Sequence, residues 1–201
     1  MLLPINQHHP EPRKIERAVR IVEEGGVISY PTDTVYGLGC DLLNKHALER
    51  LYQLKGIPRK KRLAFICADL SNIARYAVVD NAQYRVLKHF LPGPYCFILK
   101  ATAEVPKIVQ HKQKTVGIRV PDHPVTQALV RELGRPIINT TACEPGEDAI
   151  ADPWTIDATF PTLDLVLEAD VCGLVPTTVV NLCNGAIEIL REGAGPIDDL
   201  A

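Results

Sequence analysis

The sequence predicts an α/β fold built on a mixed sheet, and three observations carry that reading. Segments with helical periodicity alternate with short β-branched apolar runs through the first two thirds of the chain. An Asn184-Gly185 pair between two apolar runs then signals a closing hairpin, which a purely parallel sheet would lack. Finally, 201 residues, 46% of them hydrophobic, suffice for one domain (1–201) with a core that needs no disulfide or metal staple. The 22 Lys and Arg against 24 Asp and Glu, a formal net charge of −2, exclude a generally basic nucleic-acid binder and an acidic tail protein. Any anion the protein binds must therefore be met by a local cluster of cations.

Each element follows from its own pattern. Ile15, Ala18, Ile21 and Val22 recur at helical spacing within Glu11–Glu24, and Gly25-Gly26 ends that helix. Val27–Tyr30 is a short strand stopped by Pro31. Asn44 is the cap of a second helix over Lys45–Leu54, with Gly56 at its end. Leu63–Cys67 is an apolar run of the buried-strand kind, and helical patterns follow at Ser71–Tyr76 and Asn81–Phe90. Strands are predicted at Tyr95–Ala101, Thr115–Val120, Pro136–Thr140 and Leu163–Leu167. Asp122 is placed to cap a helix running to Leu133 and ending at Gly134, and Thr178–Cys183 with Ala186–Arg191 form the hairpin.

The six cysteines, Cys40, Cys67, Cys96, Cys143, Cys172 and Cys183, include no Cys-x-x-Cys pair that would seed a zinc or redox site. Their mostly apolar neighbours predict reduced, buried thiols in a cytoplasmic protein. The N-terminus lacks the basic and apolar regions of a signal peptide. The longest uncharged stretch, Val171–Ile187, is interrupted by Pro176, Asn181 and Asn184, which argues against a membrane span.

Three constellations could carry chemistry. Tyr30–Gly39 follows a strand and holds Thr32, Asp33, Thr34, Gly37 and Gly39, which offer hydroxyl and backbone donors to a small polar ligand or simply bond their own turn. Lys55, Arg59, Lys60, Lys61 and Arg62 put five cations within eight residues, either a solvated loop or a grip on phosphates or a nucleic-acid backbone. In Thr115–Val120, period two puts Val116, Ile118 and Val120 on one face and Gly117 and Arg119 on the other. An Arg on a strand fit for burial needs an anionic partner, an internal carboxylate or a ligand. Arg191 shares the parity of Ile187 and Ile189 and poses the same question at the end of another strand expected to be buried.

Phosphate-loop, dinucleotide and nucleophile-elbow motifs are absent. His8 and His9 fall in an N-terminal tail, His46, His89 and His111 stand alone, and His123 reads as a residue of a helix-capping region, so no metal constellation emerges.

The ordered set Gly25–Cys40, Leu54-Lys55-Gly56, Pro92-Gly93-Pro94, Gly117–Pro121, Pro176–Val180 and Leu190–Gly193 resembles the YrdC/YciO family of threonylcarbamoyl-AMP synthase type, over about residues 15–195. The resemblance implies a twisted open sheet with flanking helices and a concave, positively lined cavity. It implies L-threonine, bicarbonate and ATP as reactants, Mg²⁺ with the nucleotide, and threonylcarbamoyl-AMP and pyrophosphate as products, for a tRNA modification. Carried onto this chain, Thr34 and Arg119 would contact threonine, Arg119 holding its carboxylate with two hydrogen bonds. Lys55, Lys61, Arg62, Thr141 and Arg191 would face the nucleotide and its phosphates. The family also includes double-stranded RNA binders, which makes RNA the alternative partner for the basic run.

The chain departs from the synthase pattern at four positions. Ile57 stands where the synthases carry the Arg of a Lys-x-Arg motif, and Cys143 where they carry the Asn of a Ser-x-Asn motif whose Ser is Thr141 here. Ile66 replaces a frequent histidine and Cys96 an expected threonine. These departures resemble the YciO branch more than the synthase branch.

Overall fold

A computed structural model describes residues 1–59, 61, 63–107, 109 and 113–200. In chain order the elements are β1 (Leu2–Pro4), α1 (Pro12–Glu23), β2 (Ile28–Tyr30), β3 (Gly37–Asp41), α2 (Lys45–Lys55) and β4 (Ala64–Ile66). Then follow α3 (Leu70–Tyr76), β5 (Ala77–Val78), α4 (Asn81–Phe90), β6 (Tyr95–Ala101), β7 (Thr115–Arg119) and α5 (Pro124–Leu133). The chain closes with β8 (Ile137–Thr141), α6 (Pro153–Thr159), β9 (Leu165–Glu168), β10 (Thr178–Asn181) and β11 (Glu188–Arg191). One mixed sheet runs β1-β9-β2-β3-β8-β4-β7-β6-β10-β11, with β5 added beside β6. The parallel pairs β1–β9, β2–β9, β4–β7 and β6–β10 are interleaved with antiparallel ones. The α/β mixed-sheet expectation holds.

Local chemistry sets the helix ends. The Asn44 side chain accepts from the Ala47 N–H, and Gly56 ends α2 in the left-handed region at φ 59°. Asp80 and Gln83 form a reciprocal capping box on α4. The cap of α5 differs from expectation: the N-cap residue is His123, whose side chain makes no capping bond, and Pro124 opens the helix instead. Asp122 turns its backbone N–H to the Asp33 carboxylate, 3.1 Å away.

The two faces of the sheet are covered unequally, and this creates the site. Phe65, Phe97, Val116, Ile118, Ile138 and Val180 pack under α2, α3 and α4 in one large core. On the opposite face, Ile28, Tyr30, Ile66, Ile137 and Leu165 pack under α1 and α5. Those two helices cover the β9-β2-β8 side and reach Ile66 of β4, and beside them Ala64, Gly117, Arg119, Cys96, Ile98 and Val179 of β4, β7, β6 and β10 line a cavity.

Several expectations need correction. Met1–Pro4 is not a tail, because β1 pairs in parallel with β9. His8 and His9 stay exposed, their N–H groups donating locally to the Asn6 side chain. Gly37 and Gly39 lie in β3, a strand that the glycine-rich pattern hid, and α6 was not foreseen. The hairpin forms, but a loop from Leu182 to Ile187 replaces the two-residue turn. Its second strand β11 is exposed along its length at the sheet edge, where a buried strand was expected. None of the six cysteines is joined in a disulfide; Cys40, Cys67 and Cys96 are buried and the other three half-buried. Among the described residues no helix is long and apolar enough to cross a membrane.

Candidate ligand-binding cavity

Strand register assembles the floor of the site. Ala64 of β4 sits opposite both Gly117 of β7 and Asn139 of β8, and Gly117 sits opposite Ile98 of β6. Two pairs further along, Ile66 lies opposite Arg119. Because Val116 and Ile118 enter the large core, Gly117 and Arg119 must face the other way, as period two requires. They line a cavity of about 540 Å³ together with Lys55, Lys61, Thr141 and Arg191. Cys96, Ile98, Leu174, Pro176, Val179 and Leu190 supply apolar wall, and Glu147 and Asp148 add two carboxylates. At Gly117 a β-carbon would meet the Cys96 sulfur at 3.3 Å, so the bare backbone keeps the floor low.

Arg119 is only 4% exposed, and the structure shows what neutralises it. Its Nη2 donates to Asp33 Oδ1 at 2.7 Å, to Thr34 Oγ1 at 3.1 Å and to Thr32 Oγ1 at 3.3 Å. Its Nε is buried with no partner. The Thr32–Thr34 turn is thus bonded in two ways, within itself and to Arg119. Thr32 accepts from the N–H groups of Thr34 and Val35 and donates back to the Val35 carbonyl, the self-contained turn. Asp33 and Thr34 instead reach 85 residues or more along the chain to Arg119. Gly37 and Gly39 have a different task from the one expected. Their backbones pair with β2 and β8. Their missing side chains leave room for Tyr30, whose hydroxyl donates to Asn139 Oδ1 at 2.7 Å. Burial holds the Tyr30 phenol well above its ordinary value, with the Arg119 charge opposing.

The other cations differ in how firmly they are held. Lys55 ends α2, is 3% exposed, and donates to the Cys143 carbonyl and, at 3.0 Å, to the Cys143 sulfur. The position that departs from the Ser-x-Asn pattern is thus in direct contact with the lysine of the Lys-x-Arg pattern. Arg191 is exposed; a register shift between Val179 and Val180 accompanies its pairing on β11. Its Nε and Nη2 donate to the Thr177 carbonyl at 3.1 and 2.8 Å, and its parity with Ile187 and Ile189 therefore does not bury it. Arg59 is not part of the wall; it faces Glu49 at 3.7 Å. Lys60 and Arg62 lie outside the described residues. Thr34 reaches the site through Arg119 rather than as part of the cavity wall. Sequence reasoning missed Asn139, Glu147, Asp148 and Thr177. A Glu147-Asp148 pair beside the Pro145-Gly146 turn carries no pattern that ties it to cations elsewhere.

Comparison with known proteins places this arrangement. The profile of the family Sua5_yciO_yrdC, described as "Telomere recombination", matches residues 20–193. The YciO protein of Escherichia coli (strain K12) is 41% identical over 196 residues, covering 96% of this chain and 95% of that protein. Its crystal structure superposes with a TM-score of 0.96 over 100% of this chain and 99% of that one. A threonylcarbamoyl-AMP synthase of Hydrogenovibrio crunogenus is 35% identical over 164 residues, 80% of this chain and 88% of that protein. The crystal structure of P. abyssi Sua5 complexed with L-threonine gives a TM-score of 0.93 at 25% identity, covering 99% of this chain and 59% of that chain. With its sheet, its cavity and the identity to YciO exceeding that to the synthase, the chain belongs to the Sua5/YciO/YrdC family.

Proposed function

We propose that this protein is a nucleotide-binding enzyme of the threonylcarbamoyl-AMP synthase type, joining L-threonine, bicarbonate and ATP into threonylcarbamoyl-AMP with release of pyrophosphate. The observation that carries the reading is the convergence of Lys55, Lys61, Arg119, Thr141 and Arg191, from distant parts of the chain, on one cavity of about 540 Å³. That volume lies within the usual range for small-molecule sites. The solved Sua5 relative with L-threonine supports the amino-acid half of the assignment.

In the proposed reaction an oxygen of N-carboxy-threonine attacks the α-phosphorus of ATP and pyrophosphate leaves. Such a transfer needs alignment and neutralisation of negative charge more than a covalent nucleophile. Arg119, steadied by Thr34, meets the threonine carboxylate, while Lys55, Lys61, Thr141 and Arg191 meet the nucleotide phosphates. Mg²⁺ typically binds through substrate phosphates, waters and one or two carboxylates rather than a protein cage. The residues fit that mode. Among the described residues no group of three or more acidic, His or Cys side chains could hold a metal alone, yet Glu147 and Asp148 lie on the same wall. They would hold a nucleotide-borne ion, which supplies further positive charge to the phosphates.

The test is pyrophosphate release by the purified protein with ATP, bicarbonate and Mg²⁺, with and without L-threonine, and mass spectrometry of the adenylate. Threonine-dependent release with threonylcarbamoyl-AMP formed is expected. No threonine-dependent release, together with no binding of the product, overturns the proposal. RNA binding that falls steeply with salt and ignores threonine would point to the alternative partner.

A further inference from the structure

We infer that Asp33 is a positioning residue, a built-in counter-ion that clamps one nitrogen of Arg119 so that another is offered to the ligand. The inference borrows L-threonine as its probe from the function proposed above, but the geometry stands without it. Asp33 and Arg119 side chains are 10% and 5% exposed and pair at 2.7 Å through Nη2 alone. Thr34 and Thr32 add two hydroxyl oxygens to that same nitrogen. Asp33 is itself fixed from a second side, its Oδ2 accepting the Asp122 N–H at 3.1 Å. The clamp therefore ties the turn after β2 to the segment after β7, and a guanidinium so held cannot turn to follow a ligand. On the same guanidinium Nε is buried and unpartnered, and Arg119 lines the cavity. A buried donor without an acceptor is uncommon, and this one points to an anionic group supplied from outside.

Charge and position make opposite predictions at Asp33, which allows a clean test. If Asp33 acted only as a negative charge near the site, removing it would tighten binding of a carboxylate. If it positions Arg119, removing it loosens binding even though the repulsion is gone. Calorimetric titration of L-threonine and, separately, ATP into wild type, Asp33→Asn and Asp33→Glu distinguishes these roles. Asp33→Glu keeps the charge and moves it, so it also serves if the neutral variant folds poorly. We expect both variants to lose L-threonine affinity by about tenfold or more, the scale of one charged hydrogen bond. ATP affinity is expected to hold. Unchanged or tighter L-threonine binding, or an equal loss of both ligands, overturns the inference. If wild type binds no L-threonine, the proposed function fails on its own. The clamp is then judged by nitrogen-15 NMR of the Arg119 guanidinium. Slow rotation about Cζ–Nη2 in wild type that becomes fast in Asp33→Asn supports it, and identical spectra overturn it.

Discussion

Arg119 and Arg191 line the same cavity, yet the protein treats them as different objects. Arg119 lies at the dry end, on a central strand, with an internal carboxylate and two hydroxyls around one nitrogen. Arg191 lies at the open end, on the edge strand β11, held by the carbonyl and hydroxyl of Thr177 with solvent beside it. The difference follows from dielectric. A guanidinium removed from water is tolerable only when an opposite charge travels with it, whereas one at the surface is stabilised by water and counter-ions. The dry end is therefore built for geometry and the open end for attraction. That division suits a ligand with a small carboxylate at one end and several phosphate charges at the other.

The largest effect expected from breaking this contrast is at Arg119. Arg119→Met leaves the Asp33 carboxylate nearly buried without a partner, and losing one member of a buried pair destabilises by about 3–5 kcal/mol. Urea unfolding measures this, and the Arg119→Met/Asp33→Asn double variant should recover part of the loss because no lone charge remains. A single-variant loss below about 1 kcal/mol would place Arg119 in the surface class and dissolve the distinction.

How much of this was legible beforehand depended on how local each feature is. Arg119 was found because period two on Val116–Val120 is a strictly local pattern, and the structure keeps Val116 and Ile118 in the core with Gly117 and Arg119 across the sheet. Its partner was not identified, since Asp33 lies 86 residues away and nothing near either residue encodes the pairing. β3 was hidden for a related reason. Gly37-Leu38-Gly39 reads as a turn until Tyr30 is seen to need the space that both glycines leave. β11 was placed correctly in sequence but wrongly in environment. Arg191 shares the parity of Ile187 and Ile189, which reads as a buried face, and only the sheet order, which ends there, exposes it. Short edge elements such as β1 and α6 carry too few residues for periodicity to register.

At the open end a smaller and different effect is expected. Arg191→Ala should change stability by no more than about 0.5 kcal/mol, because an exposed arginine surrenders little when removed. Its pyrophosphate affinity should fall instead, and the deficit should shrink as ionic strength rises to about 0.5 M, where screening lengths drop to a few ångström. L-Threonine affinity, set at the dry end, should be nearly indifferent to the same salt change. Parallel titrations of the two ligands at low and high salt check this. Equal salt sensitivity for both would show that the cavity is one electrostatic compartment rather than two.

The smallest effect concerns His123, which sharpens the picture of the dry end. Its Nδ1 is buried without a partner, and the charges of Asp33, Asp122 and His8 act on the ring. Burial lowers its pKa below the ordinary 6.5, with Asp33 pulling the other way. A lowered value means that the unfolded chain takes up the proton first as pH falls. The stabilising contribution of neutral His123 is thus complete above 6.5 and is lost as pH drops below it. Glu11, held down to about 2, and Asp152, also held low, act only below the ordinary carboxylate range, so they leave the interval from 6.5 to about 5 to the histidine. One proton limits the slope to about 1.4 kcal/mol per pH unit, and His123→Gln should flatten it in thermal unfolding followed across that interval. The same measurement in Arg119→Met tests the coupling. With Arg119 gone, Asp33 has no cation, a protonated His123 becomes its available partner, and the acid-side loss should diminish or reverse. An unchanged slope in that variant would show that His123 titrates independently of Asp33, and that the clamp on Arg119 ends at Asp122.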